Sequence, residues 1–365
     1  KANLTGAVAS VDVARTMDSR PVQDVTKALQ GAVPGLTITT TNGGISESAE
    51  IKLRGTGTLS NNQSSAPLIV VDGVPVDNMD FLNPEDIQEI SVLKDAASSA
   101  IYGARAAFGV ILVTTKEPAK QDRVSISYTN NFAWSRATVL PSMASNADNI
   151  RQMMASAYRG NGSLSSEVGG QDFANLLPLA EAWSQQHGGK RYTDYVELRP
   201  YVDQNNVGDY YVTPEGNWYR YADWDLAKTL YNDATPSQKH NVSLEGTSGK
   251  TQYRASFGFD SKQGVLRFNP DKMKRYMVNV NLSTQIFSFL KAGVRVNYSQ
   301  REYTDPNLSR NSYQYVWRWP SFVEGYGYIK DANGEIQPMR NDITNRMLAH
   351  TDKQVDRNTR LQGWI

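Results

Sequence analysis

Two patterns of hydrophobic residues divide the chain near residue 120. Before that point, short apolar runs alternate with stretches of helical spacing and with turn residues. Beyond it, apolar and polar residues alternate with a period of two over segments of about ten residues. Successive side chains of a strand point to opposite faces, so the second pattern predicts long strands with one apolar and one polar face.

The first pattern is clearest in residues 84–116, PEDIQEISVLKDAASSAIYGARAAFGVILVTTK. The apolar run at 87–93 and the β-branched run at 109–115 predict two strands, the second buried on both faces. Between them, Asp95 is a suitable N-cap for a helix of small residues over 96–102, which a glycine would end. This stretch predicts a tightly packed strand–helix–strand unit.

Other short elements complete the first part of the chain. The string LIVVDGVPV predicts a strand over Leu68–Val76 that breaks at Asp72-Gly73, because Asp-Gly is a turn dipeptide. The remaining predictions are strands at Leu4–Val13, Leu36–Thr41 and Ala49–Arg54, and a helix at Pro21–Val33. This mixed order predicts an α+β domain over residues 1–120.

The second part, residues 121–365, carries five strong strand candidates and a weaker sixth. They lie at 124–134, 239–247, 250–260, 275–284, 290–300 and, the weaker one, 355–365. About ten residues at ~3.3 Å each, tilted by ~45°, cover the ~25 Å apolar band of an outer membrane. The same alternation also fits a soluble β-rich binding or adhesion protein, although sandwich strands are usually only about 5–6 residues long.

The connections between these strands alternate in length. Two are very long, at residues 135–238 and 301–354, whereas the turns near residues 249 and 288 are short. Short turns at one end and long loops at the other are typical of outer-membrane barrels, which predicts that the long loops are extracellular. A lumen that holds a domain of this size needs roughly 22 strands, so we expect the 365 residues to be part of a longer protein.

Composition excludes several classes of function. Lys and Arg number 38 against 37 Asp and Glu, a net charge of +1 that gives no basic surface for nucleic acid. Cysteine is absent and the three histidines are scattered, so the sequence predicts no metal site and no cofactor. We find no nucleophile elbow and no HExxH motif, and we expect the protein not to be an enzyme.

Several motifs, in order, resemble the plug domain of SusC/RagA-type TonB-dependent outer-membrane transporters. They are LQGAVPGLTI, LRGTGT, PLIVVDGVPV and LNPEDIQEISVLKDAASSAIYGARAAFGVILVTTK, all within about residues 4–120. One position departs, since Phe108 stands where the family commonly has Asn. The resemblance implies an α+β plug followed by strands of an antiparallel transmembrane β-barrel in the Gram-negative outer membrane.

The resemblance also implies a function and partners. Members of the family import chiefly oligosaccharides, and some import oligopeptides. Import draws energy from the TonB–ExbB–ExbD complex acting on the plug, and a SusD-like surface lipoprotein caps the barrel as a hinged lid. Outer-membrane lipid would surround the barrel, and nothing is chemically transformed.

Two arginines of the first domain are candidates for holding it inside the barrel. Arg54 in LRG and Arg105 in YGARAA could pair with carboxylates that face the lumen, and Glu245 is one such carboxylate on a predicted strand. A desolvated pair would matter far more than a solvated one. The alternative is that both arginines are ordinary solvated or locally paired side chains.

Candidate substrate-binding residues fall in two groups. The polar loop over residues 56–66 could hydrogen-bond a sugar or a peptide, and aromatic faces between the strands suit stacking on either. The candidates are Ser60, Asn61, Asn62 and Gln63 in the loop, and Trp218, Tyr219, Tyr221, Trp224, Trp317 and Trp319 between strands. The alternatives are a plain surface loop and aromatics that pack the loops together or against a partner.

Overall fold

The structure is a computed structural model. It describes residues 8–11, 25–40, 45, 49–53, 66–94, 100–118, 123–137, 144–161, 167–168, 171–194, 196–214, 216, 218–267, 270–305, 327–330, 333–338 and 354–364. No helix in these ranges is long and apolar enough to cross a membrane.

The N-terminal domain, as described over residues 8–118, contains a mixed five-stranded sheet. Its strands are β1 (Val8–Val11), β4 (Leu68–Val71), β5 (Val74–Val76), β6 (Ile87–Leu93) and β7 (Val110–Thr115). The spatial order is β1-β6-β7-β4-β5, and only β4 and β7 pair in parallel. Ile90, Val92 and Ile111 are fully buried, as the continuous apolar runs of β6 and β7 predict.

Smaller elements cover this sheet. The helix α1 (Val25–Ala28), the turn after it, and the hairpin of β2 (Leu36–Thr39) and β3 (Glu50–Leu53) contribute Val25, Leu29 and Leu53 to the same core. The predicted helix over 96–102 lies mostly outside the described residues. Its last three positions open a 3₁₀ segment, Ala100–Ala106, in which Gly103 is non-helical (φ 68°, ψ −159°) and separates two short turns, so the first turn ends at this glycine as the sequence predicts.

The second sheet, here called the long-strand sheet, has six antiparallel strands. They are β8 (Ser125–Ser135), β14 (Thr235–Ser248), β15 (Thr251–Gln263), β16 (Lys272–Phe287), β17 (Leu290–Asp305) and β20 (Gln354–Trp364), in the order β20-β17-β16-β15-β14-β8. The six strands predicted from the two-residue period are confirmed, the weak sixth included. Strands β14 and β8 pair directly although about a hundred residues separate them.

The long-strand sheet exposes its apolar face and buries its polar face, which is the reverse of the arrangement in a soluble protein. Its outward face is apolar: Val124, Phe257 and Val294 are 58%, 46% and 43% exposed. Its inward face is polar and buried, through Lys239, Asn241, Ser243, Arg254, Ser256, Asp260, Arg275, Asn281, Asn297 and Ser299. An exposed apolar face over long strands is what lipid contact requires, and it contradicts the soluble alternative.

Between β8 and β14 the chain forms a compact unit, here called the insert (described residues 144–232), where the sequence predicted only a long loop. It contains the helices α2 (Asn146–Asn161), α3 (Phe173–Gln186) and α4 (Leu226–Leu230) and the short strands β9 (Glu167–Val168), β10 (Gln171–Asp172), β11 (Val196–Glu197), β12 (Tyr210–Val212) and β13 (Trp218–Arg220). Leu176, Ala180 and Trp183 recur along α3 at helical spacing and enter its core.

Two other connections join the insert. The strand β18 (Gly327–Lys330), which pairs with β19 (Ile336–Pro338), adds in parallel to β11. The β15–β16 connection places Leu266 in the insert core. All three longer connections therefore meet at one end of the long-strand sheet.

Candidate functional site

The contact between the N-terminal domain and the long-strand sheet is built on the NPED sequence at residues 83–86. Asn83 accepts a hydrogen bond from the amide of Glu85 (3.2 Å), and Pro84 occupies the first helical position, so the sequence forms a short 3₁₀ turn before β6. This turn directs Asp86 at the sheet, where its carboxylate accepts from Arg254 Nη2 (3.2 Å) and Ser256 Oγ (2.5 Å). Asp86 and Arg254 are both buried.

Arg254 is a bridge between two carboxylates. Its Nη1 donates to Glu245 Oε2 at 2.6 Å on the neighbouring strand, while Nη2 reaches Asp86. Beside it, Asn83 Nδ2 donates to Asn241 Oδ1 (2.7 Å), and Lys239 Nζ lies 3.4 Å from Glu85 Oε1. A buried pair of this kind is costly to break, because one charge is then left desolvated.

A second contact is made by the Asp-Gly turn between β4 and β5. Asp72 adopts a left-handed conformation (φ 47°), and its carboxylate accepts from the Thr115 amide (2.9 Å) and the Thr115 hydroxyl (2.8 Å). Arg295 Nη1 lies 2.8 Å from the same carboxylate. One aspartate therefore holds the end of β7 and binds β17.

A third contact surrounds Asp80. Arg275 donates to the Asp80 carbonyl and pairs with Asp260 on the adjacent strand, and Arg301 Nη1 lies 3.9 Å from the Asp80 carboxylate. Arg360 also covers the ring of Phe81, with 4.3 Å from its guanidinium carbon to the ring centroid. The first contact also needs a close approach of the two domains, since a Cβ at Gly258 would lie 3.0 Å from Asn83 Nδ2.

The polarity of these pairs is the reverse of the one expected from the sequence. The carboxylates belong to the N-terminal domain and the cations to the long-strand sheet, whereas the sequence suggested Arg54 and Arg105 facing barrel carboxylates. Glu245 is occupied by Arg254, and Arg105 is exposed and in no ion pair among the described residues. Arg54 lies outside the described residues, so its pairing stays a prediction.

A polar cavity of about 740 Å³ lies between the two domains near the β14–β15 turn. Its lining carries charges of both signs, through Glu85, Lys116, Glu117, Glu245 and Arg254, together with the hydroxyl and amide groups of Thr114, Ser127, Thr129, Asn241 and Ser243. Water or a polar solute fits such a lining, because it supplies donors and acceptors and little apolar surface.

The insert is held by one buried carboxylate, Asp209. It accepts hydrogen bonds from Trp183 Nε1 (2.8 Å), Tyr192 Oη (2.9 Å) and the backbone amide of Arg199 (2.8 Å), and Arg199 Nε pairs with it at 3.1 Å. Burial opposes ionisation, but these bonds outweigh it and hold the pKa of Asp209 below its ordinary value. Burial, helped by the Asp209 charge, raises the pKa of Tyr192 to about 12.

The pKa of Asp223, in the same unit, is shifted in the opposite direction to that of Asp209. Burial raises the pKa of its carboxyl, and Arg191, 3.1 Å away, offsets only part of that effect. His187 stacks on Trp183 with ring centroids 4.0 Å apart, and its Nδ1 lies 2.8 Å from the Trp183 carbonyl. These groups support packing, and the described residues hold no group of three or more acids or histidines placed to bind a metal ion.

Two of the predicted substrate-binding aromatics are core residues. Tyr221 is 0% exposed and donates to the Val207 carbonyl, and Trp224 is 5% exposed with Nε1 directed at the Asp194 carbonyl (3.3 Å). Both pack the insert, which corrects their assignment as open stacking faces. Tyr219 is half-buried beside the same core.

The side chains of most other candidates lie outside the described residues. The backbone of Trp218 lies in β13, and the structure describes nothing of its side chain. Ser60, Asn61, Asn62, Gln63, Trp317 and Trp319 lie outside the described residues. Sequence reasoning missed Asp72 and Asp86, although the turn motifs VDG and NPED mark both positions and strand alternation had already turned Arg254 and Arg295 inward.

Comparison with known proteins gives consistent results. Residues 1–110 match the family model described as TonB-dependent Receptor Plug Domain. TonB-dependent receptor P26 of Formosa agariphila is 29% identical over 305 residues, which cover 82% of this chain and 25% of that protein. TonB-dependent receptor SusC of Bacteroides thetaiotaomicron is 28% identical over 271 residues, covering 69% of this chain and 25% of that protein.

Among solved structures, the RagAB peptide importer in its closed-closed state is similar, with a TM-score of 0.60 and 27% identity, covering 82% of this chain and 31% of that one. The chain thus spans about a quarter of the length of the curated relatives P26 and SusC. Residues 1–110 therefore match a TonB-dependent receptor plug domain, and over 69–82% of its length the chain is similar to the TonB-dependent receptors SusC and P26 and to the RagAB importer.

Proposed function

We propose that this chain supplies the plug and the first six wall strands of a transporter that imports nutrient oligomers across the Gram-negative outer membrane. The observation that carries the proposal is that the two faces of the long-strand sheet differ in polarity and in burial. Its polar face is buried on the plug, and its apolar face is turned away from all described residues. A plugged barrel in lipid accounts for both faces, whereas a soluble protein accounts for neither.

The arrangement of connections supports one orientation in the membrane. The short β14–β15 and β16–β17 turns lie at one end of the sheet, and the insert lies at the other. Outer-membrane barrels have short periplasmic turns and longer extracellular loops. The insert would therefore face outside, and the plug would meet TonB from the periplasm.

Import would depend on releasing the plug from the wall. Pulling by TonB, energised by ExbB–ExbD, must separate Asp72, Asp80 and Asp86 from their arginines. The polar cavity at the β14–β15 end would then open towards the periplasm, because its lining already belongs partly to the plug and partly to the wall. The chain's own residues bind and position, and no covalent step is involved.

The insert would carry a SusD-like lipoprotein lid. Support comes from the similarity to the RagAB complex and from the compact, folded form of the insert, which offers a fixed surface at the outer end of the sheet. Substrate would bind between lid, loops and plug. The remaining candidate contacts are Ser60, Asn61, Asn62 and Gln63 with Trp218, Tyr219, Trp317 and Trp319.

We propose oligosaccharides as the first substrate class, since the family that the sequence resembles imports chiefly these. Oligopeptides are the second candidate, and the similarity to a protein described as a peptide importer favours them. Both polymers are polar and carry many donors and acceptors, which suits a lumen of mixed charge and hydroxyl groups.

The test uses the full-length transporter and its co-purified lid in the native membrane. We expect detergent-dependent extraction from the outer membrane, heat-modifiable gel mobility, and energy-dependent uptake that a TonB deletion abolishes. Calorimetry of the purified pair against matched panels of oligosaccharides and oligopeptides then assigns the substrate class. Release of the full-length protein without detergent would refute the transporter, and binding only to peptides would refute the sugar assignment.

A further inference from the structure

A row of aromatic rings crosses the outward face of the long-strand sheet. Tyr128, His240, Phe259 and Tyr276 follow one another across β8, β14, β15 and β16, with successive ring centroids 6.2, 6.3 and 5.2 Å apart. Tyr128 Oη and His240 Nδ1 lie 2.8 Å apart. Amphipathic rings of this kind collect where the hydrocarbon of a membrane ends, so the row marks one margin of the apolar band.

Cations occupy the outward positions just beyond this row, on the side of the insert. Strand register places Lys274 opposite Ser261 and opposite Glu302, and places Glu302 opposite Arg357. Lys272 follows two residues further along β16, again on the outward face. Rows two residues apart are separated by about 6.6 Å, so these charges lie roughly 7 and 13 Å beyond the aromatic rings.

The charges in this patch do not cancel. Glu302 pairs with Arg357 Nε at 3.3 Å, which leaves Lys272 and Lys274 exposed and in no ion pair among the described residues. The patch of Lys272, Lys274, Glu302 and Arg357 therefore has a net charge of two positive units on a surface that faces the membrane margin.

The opposite margin of the same face is different. There the register aligns Ser248, Thr251, Thr284 and Ala292, which are all uncharged. Two exposed lysines lie near that margin, but Lys250 is in the β14–β15 turn beyond the last outward row, and Lys291 alternates with Ala292 and so lies on the other face of the sheet. Among the described residues, a cluster of cations that follows the outward rows is therefore found at the insert end only.

We propose that Lys272, Lys274 and Arg357 bind the phosphate groups of the glycolipid that forms the outer leaflet, with the acyl chains against the apolar band below the aromatic row. Ammonium and guanidinium groups are strong phosphate donors, and each cation near a charged lipid surface adds to the affinity. The side chains rise from the strands at the depth where a head group would lie. This site rests on the orientation given under the proposed function.

The test compares three forms of the full-length transporter purified in mild detergent. One is the native protein, one is the triple variant Lys272→Gln, Lys274→Gln, Arg357→Gln, and the matched control removes three exposed lysines elsewhere by Lys228→Gln, Lys250→Gln and Lys291→Gln. Each is titrated with diphosphoryl lipid A, with dephosphorylated lipid A and with inorganic phosphate. Thermal stabilisation and native mass spectrometry report binding.

We expect diphosphoryl lipid A to bind and stabilise the native protein and the control. The triple variant should bind it about 10- to 100-fold more weakly, since three cations near the lipid surface are lost. Dephosphorylated lipid A and inorganic phosphate should bind no form appreciably. Equal affinity of the native protein and the triple variant, or equal affinity for dephosphorylated lipid A, would overturn the proposal.

The result separates this site from the proposed function. Heat-modifiable gel mobility of all three forms shows that the barrel has folded, independently of lipid binding. A folded, detergent-extracted protein that ignores lipid A phosphates overturns the patch alone. A native protein that needs no detergent overturns the transporter and the patch together.

Discussion

The long-strand sheet and the insert are consecutive parts of one chain with opposite interiors. The sheet buries Arg254, Asn281 and Ser299 and exposes its valines and phenylalanines, whereas the insert buries Leu176, Trp183 and Tyr221 in an apolar core. The hydrophobic effect removes apolar surface from water and does not act on surface that meets lipid. The kind of side chain that each part buries therefore indicates whether that part is surrounded by lipid or by water.

Charges are also handled differently in the two parts. Between plug and sheet, carboxylates and cations are shared across the boundary in separate pairs, at Asp72, Asp80, Glu85 and Asp86. In the insert, one carboxylate collects donors from three residues of the same unit. Separate ion pairs can be broken one after another when the plug moves. The hydrogen bonds to Asp209 lie within one folded unit and are lost only when the insert unfolds.

The largest effect is expected from Arg254→Ala. It leaves Asp86 and Glu245 facing each other without their shared cation, and removing one partner of a buried pair costs about 3–5 kcal/mol. We expect the plug to dock less stably, which can be measured as faster proteolysis of residues 1–120 in the intact barrel and as a lower melting temperature.

The matched control is Arg151→Ala in the insert. Arg151 also bridges two carboxylates, Asp148 at 2.7 Å and Glu181 at 2.6 Å, but its side chain is half exposed. Water can replace its contacts, so we expect no measurable loss of stability. Similar losses for the two arginines would show that burial at the plug boundary is not what gives Arg254 its importance.

The next effect separates lipid-facing from water-facing apolar residues. Val280 in β16 lies midway between the two margins of the outward face, Tyr276 and Thr284, and Val202 in the insert is 61% exposed. Val280→Lys should cost about 2–4 kcal/mol, because a cation near the membrane midplane is desolvated. Val202→Lys should stay within about 0.5 kcal/mol, as for an ordinary surface position.

Folding into phospholipid vesicles at increasing urea measures both variants. If Val202→Lys destabilises the protein as much as Val280→Lys, both valines meet the same solvent and the assignment of a lipid-facing surface is wrong. Gel mobility before and after heating shows which fraction of each variant has folded.

The smallest effect concerns the pH dependence of the insert. The pKa of Asp209 lies below its ordinary value of about 3.9, so the folded state holds its proton less tightly than the unfolded state. Its stabilisation is therefore fully present above about pH 4 and is lost as the pH falls through the lower, folded-state pKa. Asp209→Asn should remove this acid dependence.

At neutral pH the same substitution should cost about 1–3 kcal/mol, because an amide cannot accept from all the donors around it. Tryptophan fluorescence of the full-length protein follows the insert through Trp183 and Trp224 as the pH is lowered. An acid transition that is unchanged in Asp209→Asn would assign the pH dependence to another group.

Local patterns predicted much of the fold. The six strands of the long-strand sheet follow from the two-residue period, because a strand with one lipid face must alternate wherever its partners lie. The plug strands follow from apolar runs bounded by turn residues such as Asp72-Gly73. The sequence of the insert also contains apolar residues at helical spacing, for example Leu176, Ala180 and Trp183. The sequence analysis nevertheless interpreted this long connection only as a loop.

The candidate site was less predictable. Alternation shows that Arg254 and Arg295 face inward, but it gives no information about which plug residue each one meets. Tyr221 and Trp224 have the composition expected of a sugar-binding surface, and burial alone identifies them as core residues. Partners far apart in sequence are fixed by how two folded parts dock.

The sequence by itself determined which residues form the long strands, which face of each strand is apolar, and that an α+β plug domain precedes them. These properties depend on neighbours within a few residues. Only the tertiary structure decided that the carboxylates lie on the plug and the cations on the wall, and that the long connection is a folded unit. Those properties depend on contacts between residues distant in sequence, such as Trp183 and Asp209 within the insert and Asp86 and Arg254 across the two domains. The attraction between Asp86 and Arg254 offsets the cost of burying their charges only when the two domains are docked.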